Sequence, residues 1–150
     1  MTATIAPEIE ALTAIVDRIN AGTTYTLPRD AEYLNFLLDP LEDVNELRVD
    51  VVHEGGEDLS ETLAVEDPTT HIIRVWVRKR IDRDRRDDIA AMLLTSRLIF
   101  QQVNTMRTDT DRVQVWESEM LNKTNPVKAT LRDHGLFIGF MLFRVEVRPS

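Results

Sequence analysis

The chain has 150 residues, 29% of them charged, with a formal net charge of -8 and no cysteine. That length fits one domain, residues 1–150, burying roughly 70% of its unfolded surface. The acidic balance argues against general affinity for nucleic acid, which needs clustered Lys and Arg, and the missing thiols exclude disulfides.

The start, Met1-Thr2-Ala3-Thr4-Ile5-Ala6-Pro7, has neither the basic nor the apolar region of a secretion signal. The most apolar run, residues 136–143, is too short to span a bilayer as a helix. The expectation is a soluble protein, with no membrane partner, acting where it is made.

Pro7 at a first helical position, with Glu8 and Glu10 in the first turn, predicts a helix start. Ile9, Leu12, Ile15, Val16 and Ile19 then recur at helical spacing. Asn20-Ala21-Gly22 ends the helix, with Gly22 expected in the left-handed conformation of a C-cap. Residues 23–27 are β-prone but short and broken by Pro28, and alternation over 31–37 predicts a strand at a sheet edge. Residues 39–43 read as a turn or a single helical turn. Leu47, Val49 and Val51 then point one way and Arg48 and Asp50 the other, the pattern of a half-buried strand.

Glu54-Gly55-Gly56-Glu57-Asp58 reads as an acidic break. A weaker strand over 61–65, closed by Glu66-Asp67-Pro68, is expected to form a β-hairpin with the strand that begins at Thr70. Residues 69–104 organise the fold: an apolar strand, a charged hinge and the best helix in the sequence. In the strand, Ile73, Val75 and Val77 form one face and Ile72, Arg74, Trp76 and Arg78 the other. The helix has Asp84, Asp87 and Asp88 near its N-terminus and an apolar stripe of Ile89, Met92, Leu93, Ile99, Phe100 and Val103.

After a polar turn at 108–111, residues 112–116 predict a strand with Val113 and Val115 inward. Asn125-Pro126 predicts a short helix over 126–133, ended by Gly135. In the closing strand, 136–148, Phe137, Met141, Phe143, Val145 and Val147 share one face; Leu136, Ile138, Phe140 and Leu142 share the other.

This order predicts an α+β fold: a mixed, mainly antiparallel sheet with two main helices packed on one face, plus a β-hairpin and a short extra helix. Two helices cover one face of a sheet. Ile72, Trp76, Ile138, Phe140 and Leu142 therefore sit on the uncovered side and need either a folded-back hairpin or another subunit; subunit contact is the favoured reading.

No catalytic or metal-binding constellation stands out, and no cofactor is expected. His53, His71 and His134 lack ligand spacing. Glu54, Glu57, Asp58, Glu61, Glu66 and Asp67 are numerous enough for metal-assisted hydrolysis, although a solvated hairpin rim is the simpler account. The basic run Arg78-Lys79-Arg80 with Arg83, Arg85 and Arg86 is interleaved with Asp82, Asp84, Asp87 and Asp88, which nearly cancel its field. Ser60, Ser96 and Ser118 lack a nucleophile-elbow context, and Gly55-Gly56 is a turn with no phosphate-loop helix behind it.

The chain resembles the tail-completion proteins of tailed bacteriophages, the tail-terminator or neck group. The likeness runs through the N-terminal helix, Glu46-Leu47-Arg48-Val49-Asp50-Val51-Val52 and the segment beyond Gly55-Gly56. It continues in Ile72-Ile73-Arg74-Val75-Trp76-Val77-Arg78-Lys79, Val113-Gln114-Val115-Trp116-Glu117 and Gly139-Phe140-Met141-Leu142-Phe143-Arg144-Val145-Glu146-Val147.

The resemblance implies a non-enzymatic virion protein, present in the host cytoplasm during assembly. It would form a homo-oligomeric ring, typically a hexamer, at the head-proximal end of the tail. Such a ring ends the tail tube, meets the neck or head-completion protein, and lets DNA pass its lumen without being held. The strand faces themselves give the expected subunit interface, Ile72, Arg74, Trp76, Arg78, Ile138, Phe140 and Leu142, and in such a ring the acidic hairpin residues Glu57, Asp58, Glu61 and Glu66 are expected to line the channel. A head-closure or adaptor position in the neck, an assembly chaperone absent from the particle and a hydrolase using residues 54–67 stand as alternatives.

Overall fold

A computed structural model describes residues 6–34, 45–57, 68–81, 86–107, 112–120 and 135–148. Pro7 fixes the first turn of helix α1 (Pro7–Asn20), and the Ala6 carbonyl accepts the backbone N–H groups of Ile9 and Glu10. Its spacing of apolar residues buries Ala11, Leu12, Ile15 and Ile19 along one line. Past the helix, Asn20 closes the following loop: its Oδ1 accepts from the Ala31 N–H at 2.8 Å and its Nδ2 donates to the Ala31 carbonyl at 3.1 Å. That clamp delivers the chain to strand β1 (Glu32–Leu34).

Gly22 does not adopt the left-handed conformation expected of it: among the described residues only Gly55 and Gly135 have positive φ. The helix ends instead on Ala21 in the right-handed region. What Gly22 supplies is room, because a Cβ there would collide with the Tyr25 ring. The Tyr25 hydroxyl donates to the Ile19 carbonyl at 2.6 Å, and burial pushes its phenol pKa up to about 12.

The remaining elements are β2 (Arg48–Glu57), β3 (Thr69–Arg80), helix α2 (Arg86–Asn104) with a 3-10 turn at Thr105–Arg107, β4 (Val113–Met120) and β5 (Leu136–Val147). They form a five-stranded sheet in the order β1-β2-β3-β5-β4. β1 pairs parallel with β2 and the other three pairs are antiparallel, so the sheet is mixed and mainly antiparallel within an α+β fold. Both helices contact the sheet through one core, built from their buried stripes and from Val49, Val51, Ile73, Val75, Val77, Met141 and Phe143. Each of these side chains contributes about 1.5–3 kcal/mol by leaving water.

Two segments differ from the sequence expectation. Residues 54–57 continue β2 rather than break it, and the acidic Gly-Gly signal marks a β-bulge between His53 and Gly55. Gly55 has φ 152°, a region L side chains avoid, so glycine serves the bulge rather than a turn. In α2, Leu93 is 45% exposed, and Ser96 takes the core position beside Met92 and Ile99. The Ser96 hydroxyl donates to the Met92 carbonyl at 2.9 Å, which satisfies it in an apolar setting. Of the expected edge strand over 31–37, residues 32–34 form β1. The expected strand 61–65, its hairpin, the turn at 39–43, the extra helix 126–133 and Asp84 lie outside the described residues.

Candidate functional site

β3 and β5 are the central pair of the sheet, and strand alternation sends every second side chain to the face opposite the helices. Their register sets Arg78 beside Ile138, Trp76 beside Phe140, Arg74 beside Leu142 and Ile72 beside Arg144. The seven residues singled out in the sequence thus share one face on adjacent strands. All but Arg78 are partly exposed.

At the middle of this face the Trp76 and Phe140 rings pack with centroids 4.9 Å apart. The Arg74 guanidinium lies 5.3 Å from the Trp76 ring centre and 5.4 Å from that of Phe140. Glu54 holds it there with two contacts, 2.6 Å from Nε to Oε1 and 3.0 Å from Nη2 to Oε2. A second cross-strand pair, Arg144–Glu117 at 3.3 Å, borders the patch on the β4 side. The result is an aromatic and aliphatic strip whose cations are each matched by a carboxylate, so it carries little net field.

Arg78 belongs to a different environment. With Arg48 it grips Asp50, whose side chain is fully buried: Arg48 Nε lies 3.0 Å from Oδ1 and Arg78 Nη2 lies 2.7 Å from Oδ2. The sequence pattern placed Arg48 and Asp50 on the solvent side of a half-buried strand, and both are buried. The side assignment was sound, since they lie opposite the helices; burial of that side at this end was not visible in the pattern. Only the β2–β3 register, which sets Arg48 across from Arg78, brings the cations together on the carboxylate.

Trp116 was not singled out by sequence reasoning. β4 carries a bulge between Val115 and Glu117, and Trp116 is the extra residue, 57% exposed on an edge strand. It borders a cleft of ≈ 560 Å³ with Ile72, Leu142, Arg144, Glu117 and Glu119, which extends the strip to the sheet edge. A bulky aromatic directly after an alternating Val-Gln-Val was the available signal. A separate cleft of ≈ 630 Å³ runs along α1 over Ile9, Ala14, Met106 and Val113, bordered by the Glu10–Arg112 ion pair at 3.1 Å.

Of the expected channel-lining residues, Glu57 ends β2 with its backbone opposite Thr70, whereas Asp58, Glu61 and Glu66 lie outside the described residues, as do Asp67, His134 and Ser60. His53 and His71 hydrogen-bond to each other at 2.9 Å, and Thr69 Oγ1 lies 2.8 Å from the other ring nitrogen of His71. Among the described residues there is no group of three or more potential ligands that could hold a metal ion. The Ser118 hydroxyl donates to Asn104 Oδ1 at 2.7 Å, tying β4 to the end of α2. No helix among the described residues is long and apolar enough to cross a membrane.

The chain matches no protein-family model and no curated protein.

Proposed function

We propose that the chain is a structural virion protein that assembles as a hexameric ring at the head-proximal end of a phage tail. There it ends the tail tube and joins it to the neck or head-completion protein, with DNA passing through the lumen. The observation that supports this reading is the strip Ile72, Arg74, Trp76, Ile138, Phe140 and Leu142, partly exposed on the central strands. Large aromatic and aliphatic side chains on a surface of matched charges are what a subunit contact uses. A ring needs two different patches that meet head to tail, and this strip serves as one of them. Arg78 drops out of the contact set because it is held against Asp50, where it stiffens the strip's floor.

On this reading the acidic segment from Glu57 through Asp58, Glu61 and Glu66 faces the lumen, where it repels phosphate and lets DNA slide. The protein works by assembly, without cofactor or catalysis, in the virion and, before that, in the host cytoplasm. The hydrolase alternative gains nothing from Glu54, whose carboxylate is engaged by Arg74.

The test is electron microscopy of the purified protein, alone and with tube protein, for the wild type and Trp76→Glu. The wild type is expected to form rings that cap tubes, and the folded variant to fail at both. A wild type that neither forms rings nor caps tubes overturns the proposal, and so does a Trp76→Glu variant that unfolds outright, since Trp76 would then belong to the core. Rings that bind head-side proteins but leave tube length unchanged place the protein at the head-closure or adaptor position.

A further inference from the structure

His53 and His71 meet on the helix side of the sheet, where β2 breaks its register at the bulge between His53 and Gly55. His53 Nε2 lies 2.9 Å from His71 Nδ1, and Thr69 Oγ1 lies 2.8 Å from His71 Nε2, so both nitrogens of the His71 ring are engaged. His71 is 3% exposed, while His53 is half-buried. On the opposite face the next residue of β2, Glu54, grips Arg74 of β3. These two contacts hold β2 to β3 where the ladder between them is interrupted.

The histidine bond has room for one proton between its nitrogens. Closed, the pair therefore carries at most one positive charge, with a hydrogen on the outer nitrogen of each ring and one shared between them. Full protonation points two N–H groups at each other and places a second charge on a pair whose inner ring is out of water. Among the described residues, β3 and β5 present Ile73, Phe143 and Val145 to that face at this end, and Lys79 lies at the other end of β3. Glu57 is placed opposite Thr70, a register position of the other face. Helix α1 turns Ala11, Leu12, Ile15 and Ile19 to the sheet, with Glu8 exposed at the start of that line and Glu10 paired with Arg112.

We propose that this pair is a proton-operated latch: when both rings protonate, His53 swings away from His71, and the end of β2 beyond the bulge parts from β3, loosening the hold of Glu54 on Arg74. His53 is the ring that leaves, because it already reaches solvent and His71 does not. Opening takes up one proton. The closed state is therefore favoured above the ordinary imidazole range, about 6.5, and loses about tenfold against the open state for each pH unit below it. Arg74 ties the latch to the Trp76–Phe140 strip, but the latch itself does not depend on the virion reading.

Amide hydrogen exchange at about pH 7.5 and about pH 5.5, corrected for its intrinsic pH dependence, tests this. Protection of the β2 amides at residues 53–57 is expected to fall about tenfold at the lower pH, while that of residues 75–77 at the centre of the ladder stays unchanged. His53→Gln keeps a donor and an acceptor for His71 without a ring that titrates, so it is expected to hold its protection at both pH values. Imidazole nitrogen chemical shifts, recorded on the same samples, are expected to show the second proton binding as the pair separates. Equal protection of residues 53–57 at the two pH values overturns the proposal. So does acid opening that His53→Gln shares with the wild type, or shifts that show two fully protonated rings while the ladder stays closed.

Discussion

Asp50 is the residue on which one end of the sheet depends. A fully buried carboxylate is tolerable only because two guanidiniums, from Arg48 on its own strand and Arg78 on the next, reach it at 3.0 and 2.7 Å. Removing it takes the buried carboxylate from between two buried cations, so Asp50→Ala is expected to destabilise the fold by about 3–5 kcal/mol in urea unfolding, far more than an exposed ion pair would. Tyr25 gives a pH signature. Its folded pKa of about 12 lies above the ordinary 10.0, so the neutral phenol favours the folded state. That contribution is complete below pH 10.0 and is lost as pH rises toward about 12. The stability difference between the wild type and Tyr25→Phe should therefore shrink across that window, measured by urea unfolding of both proteins at each pH.

At the scale of elements, the end of α1 depends on the fit of Gly22 against the Tyr25 ring. Gly22→Ala displaces the ring from the Ile19 carbonyl and is expected to cost about 1–3 kcal/mol, with the Tyr25→Phe background reducing the hydrogen-bond share of that loss. On β5, Phe143 is fully buried and packs on Phe100 of α2 with ring centroids 5.6 Å apart. Phe143→Ala should cost about 3–5 kcal/mol in the same unfolding measurement. Trp116 offers the contrast. Exposed at a bulge on the edge strand, it has few native contacts to lose, so Trp116→Lys should change stability by less than about 0.5 kcal/mol while improving solubility at high concentration. These three substitutions separate core, close approach and surface.

The whole molecule is a sheet with two unlike faces. Its helix side is a continuous core that draws on both helices and on β2, β3, β4 and β5. Its other side passes from a buried ion-pair cluster at Asp50 to the half-exposed Trp76–Phe140 strip. One core shared by elements from both ends of the chain predicts a single cooperative transition, with far-UV circular dichroism and tryptophan fluorescence coincident in urea. Non-coincident curves would show that the chain unfolds in more than one unit. The same geometry explains why the strip suits association: its side chains are fixed by a rigid ladder before any partner arrives, so docking orders little that is not already ordered.

Local periodicity was sufficient for much of this. The stripe of α1, the two faces of β3 and the long alternation of β5 follow from side-chain spacing, because burial on one side of a helix or strand imposes its own period. The α+β class and the isolation of Ile72, Trp76, Ile138, Phe140 and Leu142 from the helices followed in turn. Other features needed partners distant in the chain. The bulges at Gly55 and Trp116 depend on which strand lies alongside, and the room left by Gly22 depends on where Tyr25 folds back. The neutralisation of Asp50 by Arg78, the Trp76–Phe140 pair and the clamp of Glu54 on Arg74 exist only once β2, β3 and β5 are in register. Along α1 and the strands, sequence determined which side a residue takes, because that is a matter of local geometry; tertiary structure decided which residues meet, and that Ser96 rather than Leu93 enters the core of α2, because register and packing are properties of pairs of elements.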